Sequence, residues 1–180
     1  MPVLTTSACL PYTPTDPPPA PPTPESLTYS LTLPADPRTP AIVRATLRTV
    51  LQAHGLADMT EAAVQVASEL SACACRFTPS LEVYVRLRFR DDALRVVLYD
   101  AHPRHAHPRL AAACDARRRS ALRLPACVVR ACGGDWGFGD ARDPGGGTRT
   151  WAVLPREGTH TYAAAAQARM PAPESVSRLL

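Results

Sequence analysis

Strands are predicted where apolar and polar residues alternate along the chain. The clearest stretch runs from Leu81 to Phe89, and a return stretch from Leu94 to Leu98 follows it after the pair Asp91-Asp92. Because a two-residue turn between two such stretches is typical of a hairpin, we expect these strands to pair antiparallel. Further strands are predicted at 27–33, 136–138 and 148–154, with a glycine turn at 145–147 before the last one.

Helices are predicted where apolar residues recur every three or four positions. The first helix is stopped by Gly55, and its apolar face consists of Val43, Leu47, Val50, Leu51 and His54. The spacing of Asp58 and Glu61 predicts a capping box that opens a second helix, which Pro79 ends. The apolar face of that second helix consists of Ala62, Val66, Leu70, Cys73 and Phe77.

A third helix, rich in alanine and arginine, is expected to break near Pro125 and to resume through Cys132. The resulting order β, α, α, β, β, α, β, β predicts an α/β fold of the two-layer α+β kind. Its sheet is expected to be mixed and mostly antiparallel, with the helices on one face.

The distribution of prolines separates an N-terminal arm from the folded part of the chain. Nine of the twenty prolines precede Ser26, so residues 1–25 are predicted to be a disordered, proline-rich arm. The folded domain is expected at 26–160. Residues 161–180 lack a sustained apolar face and are predicted to form a flexible tail.

Composition narrows the classes of function. All twenty basic residues are arginine, asparagine is absent, and the formal charge of +4 is too small to require a nucleic acid partner. No stretch resembles a membrane span or a secretion signal, so we expect a cytoplasmic protein with no membrane association. Its six cysteines are then expected to be reduced thiols. A homodimer is left open.

Four segments in a fixed order carry a resemblance to a known family. They are ELSACACRF at 69–77, VVLYDAHPRHAHP at 96–108, DWGFGD at 135–140 and GGGTRTWAVL at 145–154. Together they resemble the boxes of the GHKL, or Bergerat-fold, histidine kinase-like ATPases. The closest likeness is to the anti-sigma-factor serine kinases, and it covers roughly Ser26 to Leu154.

The resemblance implies a site for ATP with magnesium. Glu69 matches the general base, and Asp100 matches the carboxylate that reads adenine; capping of the following loop is the alternative role for Asp100. Further nucleotide contacts would come from Gly146, Gly147 and Thr148. The family's magnesium-binding asparagine is Cys73 here, and a soft thiol is a poor ligand for magnesium. Leu124-Pro125-Ala126 stands about where the family has its lid glycines.

The resemblance therefore predicts a degenerate member: a regulatory protein that binds a sigma factor or an anti-sigma antagonist, with ATP binding weak or lost. An active ATP-dependent serine/threonine kinase is the alternative. A second alternative is a basic nucleic-acid-binding domain using Arg86, Arg88 and Arg90 beside Tyr84, although a solvated strand face explains these residues more simply.

Two other clusters allow more than one interpretation. Arg117, Arg118, Arg119 and Arg123 could attract phosphate, but a solvated helix face is the simpler interpretation. His102, His105 and His107, with Cys114 nearby, could bind zinc or nickel. A polar loop is the simpler interpretation of the histidines, so no metal ligand is assigned.

Overall fold

One sheet and the helices packed on it make up the structure, a computed structural model that describes residues 20–141 and 146–168. The elements are β1 (Thr28–Pro34), α1 (Thr39–Ala53), α2 (Thr60–Phe77), β2 (Glu82–Arg90), β3 (Ala93–Asp100), α3 (Pro108–Ala121), α4 (Arg123–Ala131), β4 (Asp135–Asp140), β5 (Thr148–Pro155) and α5 (Arg156–Ala168). Short 3-10 turns occupy Pro24–Ser26 and Ala57–Met59. None of the described helices combines the length and apolar character that crossing a membrane requires.

The five strands lie in the order β1-β2-β3-β5-β4, and every pairing is antiparallel. The predicted α/β class with helices against the sheet is confirmed. The sheet is not mixed over the described strands, because β5 inserts between β3 and β4. Those two strands run in the same direction but are not neighbours.

The predicted hairpin is confirmed, with Arg90 paired to Ala93 across the turn. Both turn residues, Asp91 and Asp92, have φ of 53°. Positive φ at both central positions defines a type I′ turn, whose twist matches that of the flanking strands. Aspartate is among the few residues with a side chain that tolerate this backbone region.

The predicted stop of the first helix is also confirmed. Gly55 follows α1 with φ of 69°. The Leu56 amide donates to the Leu51 carbonyl at 2.8 Å, and the Gly55 amide donates to the Gln52 carbonyl at 3.2 Å. These paired bonds form a Schellman motif, which satisfies carbonyls that the helix end would otherwise leave unpaired.

The core lies between the sheet and α2, whose predicted apolar face contacts β2, β3 and β5. Helix α1 packs on α2, and α4 packs on α2, β4 and β5. The largest side chains fully buried between these layers include Leu47, Leu51, Leu70, Leu87, Leu94, Leu98 and Leu154. Each of them contributes roughly 1.5–3 kcal/mol by leaving water.

The capping box predicted for α2 is wrong. The helix begins at Thr60 and has no side-chain cap. The carboxylate of Asp58 accepts hydrogen bonds from Nε of Arg156 at 2.8 Å and from its Nη2 at 3.3 Å. Because Arg156 lies 98 residues later in the chain, the acid that local spacing assigns to a cap instead holds α5 to the start of α2.

Helix α5 was not among the predicted elements, and it extends past the expected domain boundary at 160. A Cβ on Gly158 would lie 1.8 Å from the Cys132 carbonyl oxygen, so only glycine permits this approach to the end of α4. The Tyr162 hydroxyl donates to Oε1 of Gln65 at 3.1 Å. The predicted arm at 1–25 is described only from residue 20 and the predicted tail only to residue 168; the rest of both lies outside the described residues.

Candidate functional site

Asp100, the residue that the resemblance assigns to adenine, ends β3 on the buried face of the sheet. Its strand alternates, so Asp100 shares the inward face with Leu94, Val96 and Leu98. The side chain is only 1% exposed. A carboxylate this deeply buried requires a cation or several hydrogen bonds to offset its lost hydration.

Arg118 supplies that cation from α3. Its Nη1 lies 2.8 Å from Oδ2 of Asp100 and its Nη2 lies 3.3 Å from Oδ1, so the guanidinium engages both carboxylate oxygens. The Arg118 side chain is 3% exposed. The interpretation of Arg118 as part of a solvated helix face is therefore wrong, whereas its neighbours Arg117 and Arg119 are exposed.

The Arg118 guanidinium is enclosed on its other sides as well. It lies over the Phe77 ring at 4.5 Å from the centroid, a cation–π arrangement. Its Nη1 is also 3.4 Å from the Thr150 hydroxyl. Arg118 thus fills the space between the end of α2 and the strands β3 and β5.

Cys73 borders the same ion pair. Burial raises the pKa of its thiol to about 11, and the nearby Arg118 only partly opposes this shift. The thiol is therefore protonated at neutral pH. Because magnesium prefers hard oxygen ligands, a neutral thiol at this position offers the ion nothing to bind.

Glu69, the residue assigned to the general base, is half-buried in α2. It lies one helical turn before Cys73, roughly 6 Å along the axis. Among the described residues it forms no ion pair with an arginine. The structure thus brings Asp100 and Cys73 close to Arg118 and pairs Thr148 with Asp100 across the sheet. No hydrogen bond or ion pair among the described residues joins Glu69 to Arg118.

The glycines and threonine of the closing strand have structural contacts. A Cβ on Gly147, whose φ is 98°, would lie 2.3 Å from the Asp100 carbonyl oxygen. The buried Thr148 hydroxyl donates to the His102 carbonyl at 2.9 Å. Gly146 is exposed, and its φ of 66° suits the turn.

Asp100 also fulfils the alternative role considered for it. Its Oδ1 accepts a hydrogen bond from the His102 amide at 3.0 Å, which caps the loop between β3 and α3. That loop, α3 and the end of α2 line an open cavity of about 620 Å³ beside the ion pair. The cavity is lined by Arg76, Phe77, His102, Cys114, Arg117, Ser120 and Ala121.

The opposite face of the sheet is not covered by the described helices. Its outward positions on β2, β3 and β5 line up across the strands, so that Arg86 lies beside Val97 and Val97 beside Trp151. We call this surface the outer face. Its arginines and aromatic residues are Arg86, Arg88, Arg90, Arg95, Arg149, Tyr84, Tyr99 and Trp151.

Arg118 is the residue whose buried ion pair the sequence interpretation missed. The one available signal is its position on α3, since it shares a helix face with Cys114 four residues before and Leu122 four residues after.

No family model matches the sequence, and no curated protein is similar enough to serve as a relative.

Proposed function

We propose that this protein is a regulatory, protein-binding domain that acts without bound nucleotide. One observation supports the proposal above the others: the carboxylate of Asp100 is already engaged by Arg118 in a buried ion pair. By the resemblance, that carboxylate would accept a hydrogen bond from the amine of adenine. Here its oxygens accept hydrogen bonds from Arg118 and from the His102 amide.

The energy of this pair argues against adenine binding. Removing one partner from a buried ion pair typically costs about 3–5 kcal/mol. A nucleotide that displaced Arg118 would lose that energy from its binding, which is a factor of roughly 10² to 10³ or more in affinity. A hydrogen bond between adenine and Asp100 is thus unfavourable while Arg118 stays in place.

The part of the expected site that would bind magnesium and the phosphates also lacks a suitable metal ligand. Cys73, at the position of the magnesium ligand, is a buried and protonated thiol. Glu69 would have to act as a base without a bound metal to polarise the nucleophile. These features favour the protein-binding role over the kinase, the alternative suggested by the resemblance.

The outer face is where we place the partner. Five arginines lie on three neighbouring strands of this face, whereas its acidic residues Glu82 and Asp135 lie at strand ends. A surface with this charge complements an acidic protein segment. A sigma factor or an anti-sigma antagonist is the partner that the resemblance implies.

Affinity capture with the full chain tests the proposal. Proteins that bind the immobilised wild type should be lost with Arg86→Glu/Arg95→Glu and retained with the control Arg48→Glu/Arg130→Glu, which reverses exposed charges on helices. Retention should not change when ATP and magnesium are added. Capture that requires ATP, equal loss in the control, or no capture by the wild type would overturn the proposal.

Single-stranded nucleic acid is the second candidate, because Tyr84, Tyr99 and Trp151 lie among the arginines of the outer face. Bases stack on such aromatic side chains while arginines follow the phosphates. A labelled oligonucleotide should then bind with an affinity that falls steeply with salt, and Tyr84→Ala should weaken it by roughly 5- to 150-fold. A flat salt response excludes this candidate.

A further inference from the structure

We infer that His102, His105 and Cys114 form a metal site that takes zinc, with a fourth coordination position open to the cavity beside α3. The two imidazoles and the thiol come from the loop after β3 and from α3 itself. Their ligand atoms all lie within 4.8 Å of one another, and all three residues are half-buried. His107, the third histidine of that loop, is exposed and is not part of the group.

The spacing is close to what zinc requires. With Zn–N near 2.0–2.1 Å and Zn–S near 2.3 Å, tetrahedral ligand atoms are separated by roughly 3.3–3.6 Å. Side-chain movements of roughly 1.5 Å or less therefore bring the three atoms to bonding positions. A combination of imidazole and thiolate ligands selects zinc over magnesium or calcium, which prefer oxygen.

The backbone that carries His102 is fixed on both sides. Its amide donates to Asp100, and its carbonyl accepts from Thr148. Its ring packs edge-on against Phe77, with centroids 5.8 Å apart. The His105 ring in turn lies at right angles to the His102 ring, with centroids 5.1 Å apart. Contacts within the protein therefore fix much of the loop that would bind the metal.

Arg104 fixes the other half of the loop. Its guanidinium engages the Asp115 carboxylate on α3, and its Nε lies 3.0 Å from the carboxylate of Asp140 on β4. This holds the loop against the helix that carries Cys114. Asp115 is the acidic neighbour of Cys114. Because its carboxylate is paired with Arg104, Asp115 is not available as a fourth ligand.

The open position defines the further ligand. Arg76 and Arg117 line the same cavity as His102 and Cys114. Zinc with one thiolate and two neutral imidazoles retains a net positive charge, and two guanidinium groups add to it. The exchangeable fourth ligand should therefore be water or a small anion such as a carboxylate. Binding releases the proton of the Cys114 thiol, because the thiolate is the ligand form.

Cobalt(II) substitution tests the site in the reduced, chelator-treated full chain. The wild type should bind one Co²⁺ with a cobalt–thiolate charge-transfer band and tetrahedral d–d absorption, and Zn²⁺ should displace it. Cys114→Ser should abolish the band. His105→Ala should weaken binding by at least about tenfold, the loss that even an outer-shell change typically causes. The matched controls His107→Ala and Cys127→Ser change a neighbouring histidine and an exposed cysteine, and both should leave binding intact.

Three results would overturn the inference: no cobalt binding by the wild type, a thiolate band that survives Cys114→Ser, or equal loss in the controls. Circular dichroism checks that each variant is folded. If Cys114→Ser unfolds, the wild-type spectrum and His105→Ala decide the question. ATP and partner binding are not measured, so the result is independent of the proposed function.

Discussion

Arg118 and Asp100, eighteen residues apart in the chain, form an ion pair from which water is almost entirely excluded. The pair connects α3 to the end of β3 and occupies the position where the resemblance expects adenine. Under the proposed function, the bond that holds α3 in place would also keep adenine from Asp100, so stability and function would depend on the same pair.

The first prediction concerns this pair. Arg118→Met and Asp100→Asn should each lower the free energy of unfolding by about 3–5 kcal/mol, because each leaves a buried partner without its counterpart. The double variant should be less destabilised than the sum of the two. Urea denaturation measures all four proteins, and Arg119→Ala, at an exposed neighbour, should change stability by less than about 0.5 kcal/mol. Strict additivity in the double variant would show that the pair is not coupled.

The pair was hard to predict from sequence for a physical reason. An arginine within the run Arg117-Arg118-Arg119 has the local pattern of a solvated helix, and its partner lies on another element. By contrast, the strands and the Asp91-Asp92 hairpin depend on local alternation and turn geometry, which the sequence carries directly.

The second prediction follows from the burial of Cys73, which raises the pKa of its thiol from 9.0 to about 11. Between these values the folded chain keeps a proton that the unfolded chain has lost, so stability decreases as pH rises from about 9 to about 11. Cys73→Ala should reduce this decrease by up to about 2–3 kcal/mol, measured as the urea dependence of unfolding across that pH range. An identical pH profile in the variant would contradict the assignment.

The third prediction separates the two roles considered for Asp58. If Asp58 holds Arg156, Asp58→Asn should destabilise the fold by about 1 kcal/mol. Glu61→Ala should then have an effect below about 0.5 kcal/mol, whereas a capping box would make Glu61 matter. A double-mutant cycle between Asp58 and Arg156 should give a favourable coupling energy. A coupling energy of zero would contradict a stabilising ion pair between them.

Local sequence patterns also fail to predict helix α5. Its sequence THTYAAAAQA has no continuous apolar face, so periodicity gives no signal for it. The helix is held instead by the Asp58–Arg156 pair, by Gly158 against Cys132, and by Tyr162 on Gln65. These contacts join distant parts of the chain and become visible only in the folded structure.

The fourth prediction tests why glycine stands before β5. Gly147→Ala should destabilise the fold by more than about 2 kcal/mol, because the new Cβ would meet the Asp100 carbonyl at 2.3 Å in addition to the strain of a positive φ. Gly146→Ala meets open space and should cost only about 1 kcal/mol. Thermal unfolding of the two variants compares them directly. Equal effects would mean that the close contact with Asp100 is unimportant.

Calorimetric titration of the full chain with ATP, with and without magnesium, tests the central claim most directly. The proposal that Arg118 keeps adenine from Asp100 predicts no measurable binding at millimolar ATP in either condition. Micromolar binding that depends on magnesium would contradict the account. It would mean that the nucleotide displaces Arg118 from Asp100 and that the kinase alternative requires a search for its substrate.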